Sequence, residues 1–289
     1  MEVRIPDSES FASLVASFTP NEVTVLRAST KHTVYRLTGT ERSYILKWFH
    51  DPAQCIEPAI YSLLERYGAP TLPIYKNTGR AIVIEDLRAS PAWRLAGVGD
   101  MKLAATGEAL ATWYQRLHRA GRQALNDPNR LNPGLQPWVL TITQQALTKA
   151  GMVFKLEGVS TWKAACAMAP RWIVKYCSLP QTFNYNDFAT ENLALSRQED
   201  QPLQAIVFDY DCFSTGITTS DWRNVISALE ADARAAFQAG FGPVSPEEKY
   251  LDRSLAVLYG LVVASQRERI PAWADPLVKS VLAGELTEA

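Results

Sequence analysis

Along the first third of the chain, apolar residues come in short β-branched and aromatic blocks; beyond about residue 90 they recur at helical spacing. Val34-Tyr35-Arg36-Leu37 and Tyr44-Ile45-Leu46-Lys47-Trp48-Phe49 predict two strands, and Thr38-Gly39-Thr40-Glu41-Arg42 between them suits a hairpin connection. Asp51-Pro52 predicts a helix N-cap with proline at the first helical position. Ile56, Ile60, Leu63 and Leu64 then give that helix one apolar face, and Gly68 and Pro70 end it. Ala81 to Glu85 predicts a further strand.

The remainder reads as mainly helical. Leu110, Trp113, Tyr114 and Leu117 form one stripe, with Gly121 as its stop; Trp138 to Lys149 predicts a helix ending at Gly151. Thr161 to Tyr176 predicts another, stopped before Pro180. Asp221 has the chemistry of an N-cap for a helix running to about Phe237, with Gly240 beyond it. Leu251, Leu255, Leu258 and Val262 mark a long C-terminal helix. One β insertion interrupts this region: Phe183-Asn184-Tyr185, then Asn192 to Leu195, then Ala205 to Asp209. The shift in character near Glu85-Asp86-Leu87 predicts a β-rich unit over residues 1–87 and a larger helical one over 88–289.

Composition removes whole classes of function without naming one. The 289 residues are 47% hydrophobic, which excludes wholesale disorder. Lys+Arg number 29 against 30 Asp+Glu; a net charge of −1 argues against nucleic acid or an anionic membrane as a partner. The N-terminus, MEVRIPDSES, is polar and acidic, unlike a signal peptide, and the longest apolar run, Leu255 to Ala264, is too short to span a bilayer. Cys55, Cys166, Cys177 and Cys212 stand far apart, as reduced thiols of a cytoplasmic protein would. His32, His50 and His118 form no metal-ligand pattern; His118 suits a helix end, where its charge is favourable.

The β insertion carries the most chemistry. Asp187 and Asn192 lie five positions apart in a loop, and Asp209 ends an apolar strand. Two carboxylates and an amide oxygen converging there would suit Mg²⁺, a hard cation that takes oxygen ligands, although Asp and Asn are also ordinary turn residues. Lys47 interrupts an apolar strand, either as an edge-strand charge or as a cation aimed into a cleft. Glu57 follows on the next helix, and a strand lysine paired with a helix glutamate can fix an ammonium against phosphate oxygens.

In their order, these residues resemble the kinase constellation, and most closely the aminoglycoside phosphotransferase and choline kinase family. YILKWF resembles its lysine strand; Glu57 with Leu63-Leu64 and Gly68-Ala69-Pro70 resembles its helix and exit turn; Leu110 to His118 resembles its helix ending in Leu-His. Tyr185-Asn186-Asp187 with Asn192 stands where that family has its His-Gly-Asp loop, Ile206-Val207-Phe208-Asp209-Tyr210 where it has its metal strand, and Gly216 with Asp221 where it has a G-x4-D element. The resemblance spans roughly residues 25 to 225. It implies an α+β, bilobal, protein-kinase-like fold, with a small antiparallel-sheet lobe and a larger helical one. It implies ATP and Mg²⁺ as cofactors and transfer of the γ-phosphate to a hydroxyl of a small molecule such as an aminoglycoside, choline, sugar or amino alcohol. It further implies that Lys47 meets the α/β-phosphates with Glu57 orienting it. Asp209 and Asn192 would hold the metal, Asp187 would act on the acceptor hydroxyl, and adenine would bond the backbone near Glu85, Asp86 and Leu87.

Two departures stand out. Tyr185-Asn186 replaces His-Gly, a change expected to leave activity intact. The presumed phosphate loop, Arg27 to Thr33, has no glycine, so Ser29 and Thr30 hydroxyls are expected to substitute for close backbone approach. These departures keep a catalytically silent nucleotide-binding protein open as an alternative. A protein kinase is disfavoured, because only 11 residues separate Asp209 from Asp221 and no Ala-Pro-Glu anchor follows. The acceptor pocket is expected near Asp211, Glu191, Glu230 and Asp232, with Trp172 or Trp222 as a possible cation–π wall.

Overall fold

A computed structural model describes residues 9–51, 55–129, 134–198 and 200–286. Helix α1 (Glu9–Ala16) precedes a five-stranded antiparallel sheet of β1 (Glu22–Ala28), β2 (His32–Thr38), β3 (Ser43–Phe49), β4 (Ile74–Asn77) and β5 (Ala81–Glu85), ordered β1-β2-β3-β5-β4. Helix α2 (Glu57–Arg66) lies between β3 and β4 in sequence. Period-two alternation gives the sheet two buried faces. Tyr35, Leu37, Leu46, Trp48, Ala81 and Val83 pack with Phe11 and Leu14 of α1; Phe49 and Ile82 face the opposite side, with α2.

The remaining elements are β6 (Trp93–Leu95), α3 (Ala104–Asn126), α4 (Gln144–Phe154), α5 (Ser160–Ser178), β7 (Thr182–Asn184), β8 (Leu193–Ser196), β9 (Ala205–Val207), β10 (Ser214–Gly216), α6 (Thr218–Ala228), α7 (Ala231–Phe241), α8 (Pro246–Ala264) and α9 (Ala274–Leu282). This is the expected α+β, bilobal arrangement of an antiparallel sheet followed by a larger helical part. One core joins α2, α3, β8, β9 and α7, and a second joins α4, α5 and α8.

Several boundaries differ from the sequence reading. Helix α2 begins at Glu57, with Pro58 in its first turn; Pro52 lies outside the described residues. Helix α3 runs through Gly121 to Asn126, because Gly121 is a packing position: an added Cβ would stand 2.2 Å from the Phe183 amide nitrogen. His118 therefore sits mid-helix and buried. The predicted 138–149 helix breaks into a 3₁₀ turn over Trp138–Thr141 and helix α4, whose N-cap Thr143 accepts from the Ala146 amide. Helix α4 also continues past Gly151 to Phe154, ending on Lys155 in left-handed conformation. The predicted 221–237 helix is two, and Asp221 lies inside the first turn of α6 rather than capping it. The β insertion is divided as well: β8 pairs with β9 and β6, whereas β7 pairs with β10, a strand too short to stand out in the sequence.

Candidate active site

Lys47 lies on the face of β3 that carries Phe49 into the larger core, and α2 presents Glu57 to it. The ammonium bonds Glu57 Oε2 at 2.5 Å, Asp209 Oδ1 at 2.7 Å and Asp211 Oδ1 at 3.4 Å. Two segments, one 10 residues from Lys47 and the other beginning 162 residues away, thus converge on one buried cation. Burial alone would depress the lysine, but Glu57, Asp209 and Asp211 override it and hold its pKa above the ordinary range. The Glu57 carboxyl, 2% exposed, is pushed up to about 7 by burial, with Lys47 opposing and Asp209 and Asp211 adding to the rise. Its other oxygen accepts from the Tyr210 amide at 3.4 Å, which ties α2 to the Asp209 segment.

Asp209 stands two residues beyond β9, rather than at its end, in the left-handed region with φ 68°. The turn aims its carboxylate and that of Asp211 at the same point. One carboxylate oxygen from each of Glu57, Asp209 and Asp211 lies within 4.8 Å of the others, a hard-oxygen set whose chemistry fits Mg²⁺. Asp211, expected in an acceptor pocket, therefore belongs to the Lys47 cluster. Partial desolvation pushes its carboxyl up, but Lys47 and His32 outweigh that and hold it below the usual range. Asn192 is brought next to Asp209 by its carbonyl, which accepts from the Phe208 amide at 3.0 Å. Its side-chain amide turns to Asp187, 3.3 Å from the carbonyl and 3.5 Å from Oδ2. Burial first, then Asp209, Asp211 and Glu191, push the Asp187 carboxyl up, and Arg27 opposes them.

The loop before Asp187 is fixed from below. Asp221, fully buried, accepts from His118 Nε2 at 2.9 Å, Asn184 Nδ2 at 3.1 Å and the amides of Tyr185 (3.0 Å) and Asn186 (3.2 Å). The Tyr185 hydroxyl donates to the Phe208 carbonyl at 2.5 Å, bracing the residue before Asp209. Asn186 adopts φ 63°, a conformation asparagine tolerates better than most side chains. Its amide also donates to Ser214 Oγ at 2.8 Å. The Tyr185-Asn186 pair is thus held by bonds to Asp221, the Phe208 carbonyl and Ser214.

Just beyond β5, Asp86 is buried and accepts from Arg36 Nε and the Ser43 hydroxyl, each at 2.7 Å; despite burial, those bonds hold its carboxyl low. Glu85 opposes Tyr44 and so points with it to the face opposite Lys47, leaving its backbone, with buried Leu87, at the junction. Ser29 departs from expectation. Its hydroxyl accepts from the amides of Lys31 (3.2 Å) and His32 (3.1 Å) and donates to the His32 carbonyl (2.9 Å), so it builds the β1–β2 turn. Thr30 is exposed, and its carbonyl accepts from His50 Nδ1 at 3.1 Å. Of the expected acceptor residues, Glu191 lies in the 3₁₀ turn after Asp187. Glu230 pairs with Lys102 at 3.4 Å, and Asp232 is exposed in the first turn of α7. Trp172 packs edge-on to Tyr250 in the second core, and Trp222 already carries Lys249 over its ring.

The sequence profile of the phosphotransferase enzyme family matches residues 22–250. Among solved structures, choline kinase LicA from Streptococcus pneumoniae superposes with a TM-score of 0.64 at 14% identity, over 97% of this chain and 99% of that one. Macrolide 2'-phosphotransferase MphH from Brachybacterium faecium gives 0.57 at 12%, over 98% and 99%. The streptomycin–ATP–APH(2'')-IIa ternary complex gives 0.59 at 14%, over 97% and 99%. No curated protein matches in sequence. With a profile match over most of its length, the chain belongs to the phosphotransferase enzyme family.

Proposed function

We propose that this protein transfers the γ-phosphate of ATP, in the presence of Mg²⁺, to a hydroxyl group of a small molecule in the cytoplasm. The observation that carries the reading is the Lys47 junction, where a strand lysine meets a helix glutamate and two aspartates from a segment 162 residues away. A structural relative was captured with ATP and streptomycin, which supports nucleotide use here. In this reading the nucleotide lies between a β-rich unit (1–87) and a helical one (88–289), with adenine against the backbone of Glu85 and Leu87.

In this reading Lys47 anchors the α/β-phosphates and Glu57 orients its ammonium. Asp209 and Asn192, joined by Asp211, would hold Mg²⁺, which supplies charge neutralisation across the phosphates. Asp187 accepts or orients the proton of the attacking hydroxyl, and its raised pKa suits that exchange. Asp221 and Tyr185 keep the loop in place, so that catalysis rests on positioning. The test is a screen of choline, amino alcohols, aminoglycosides, macrolides and sugars for acceptor-dependent ADP release. An active acceptor is expected. With it, Asp187→Asn lowers kcat at least about a hundredfold while nucleotide affinity stays within about twofold. Equal turnover by that variant removes Asp187 from the mechanism, and no ADP release with any acceptor favours the catalytically silent reading.

A further inference from the structure

The glycine-free turn between β1 and β2 has already used most of its backbone donors. The Ser29 amide donates to the His32 carbonyl at 2.9 Å, and the amides of Lys31 and His32 donate to Ser29 Oγ. His50 clamps the turn from outside: its Nδ1–H donates to the Thr30 carbonyl, so its Nε2 accepts from the Thr33 hydroxyl at 2.9 Å. Without a ligand, the Lys47 ammonium is surrounded by three carboxylates. Even when it turns to the α/β-phosphates, one ammonium does not balance a polyphosphate, whose terminal phosphates need further positive groups.

The sheet supplies one by a change of register. Val25 opposes Tyr35 and packs on the α1 face, yet Arg27, two residues on, opposes Val34. Leu26 is the extra residue of a β-bulge. Regular alternation would have set Leu26 against Val34; the bulge sets Arg27 there instead. Val34 in turn opposes Lys47. Residues directly opposite across strands share a face, so Arg27, Val34 and Lys47 form one row over the cleft. Lys31, at the turn, lines a cavity of about 320 Å³ with His32, Cys55 and Asp211. Among the described residues, the side chains of Arg27 and Lys31 make no hydrogen bond or ion pair, and both residues are exposed. Their charges nonetheless reach across: Arg27 opposes the upward push of burial and neighbouring acids on Asp187, and Lys31 does so for the Cys212 thiol.

We infer that the side chains of Arg27 and Lys31 form the phosphate clamp of this protein, taking the place of the backbone amides that its β1–β2 turn consumes internally. The inference rests on the phosphotransferase reading for its ligand, a nucleoside triphosphate, and assigns the two residues to its terminal phosphates. Guanidinium and ammonium groups suit that task, as charge-assisted donors to phosphate oxygens.

The test is calorimetric titration of the full chain with ATP, ADP and inorganic tripolyphosphate, each with Mg²⁺. For Arg27→Met/Lys31→Met, ATP and tripolyphosphate affinity should fall roughly ten- to a hundredfold, as expected for lost charged hydrogen bonds, and ADP affinity by less. The melting temperature of the unliganded variant should match wild type, and Arg27→Lys/Lys31→Arg should retain affinity. If wild type binds ATP and the methionine variant binds it equally well, the clamp is overturned and the phosphotransferase reading stands. If wild type binds tripolyphosphate through these residues but not ATP, the clamp stands and the nucleotide reading falls. If wild type binds neither, both fall.

Discussion

Asp86 illustrates how a single side chain links stability to the cleft. It is 3% exposed, yet it keeps its charge because Arg36 and Ser43 supply donors at 2.7 Å. Its folded pKa lies below the ordinary aspartate value of 3.8, so its contribution is fully present above that pH and is lost as pH falls through the lower, folded value. Asp86→Asn should therefore cost about 2 kcal/mol at neutral pH. The gap from wild type should close as pH drops below 3.8, read as denaturant midpoints across an acid series. A gap that stays constant with pH would show that the carboxylate charge is not what matters. Lys47 shows the converse economy: one cation serves three acids, which keeps Glu57 charged with difficulty and leaves the junction negative and ready for a cation.

Among the elements, α3 and β7 are held together by a glycine that the sequence pattern presents as a stop. Gly121→Ala would put a methyl 2.2 Å from the Phe183 amide and 2.4 Å from Thr182 Oγ1. Because Thr182 also donates to the His118 carbonyl at 2.7 Å, the strand cannot shift without disturbing the support of Asp221. A loss of about 1–3 kcal/mol is expected in chemical denaturation, with no change if the contact can relax. The same position shows what a sequence can tell a reader. Periodicity found β2, β3, β5 and the cores of α3, α5 and α8, because those signals repeat over several turns or strand residues. Gly121, the Thr143 cap and the break between α6 and α7 depend on tertiary neighbours or on single polar residues, which periodicity does not report. The Leu26 bulge leaves no local mark either, since only pairing with β2 reveals it.

At the scale of the whole molecule, the polar residues singled out in sequence meet where the sheet joins the helical part. Lys47, Glu57, Asp187, Asn192 and Asp209 were legible because each is a charged or amide residue set in an apolar strand, helix start or loop, in a recognisable order. The roles of Asp211 and Asp221 were not, because an acid two residues after a strand or inside a first helical turn reads equally well as solvent-exposed. The turn-closing bonds of Ser29 were hidden for a related reason: a hydroxyl near phosphate and a hydroxyl closing a turn have the same sequence signature. Junctions between such parts are common places for ligand sites, and no helix among the described residues is long and apolar enough to cross a membrane. On the proposed reading this junction holds ATP with a divalent cation. Calorimetric titration of ATP into the wild-type chain, with and without Mg²⁺, decides it. Saturable one-to-one binding that tightens markedly when Mg²⁺ is present is the expected result; no ATP binding in either condition, or binding indifferent to Mg²⁺, would contradict the account.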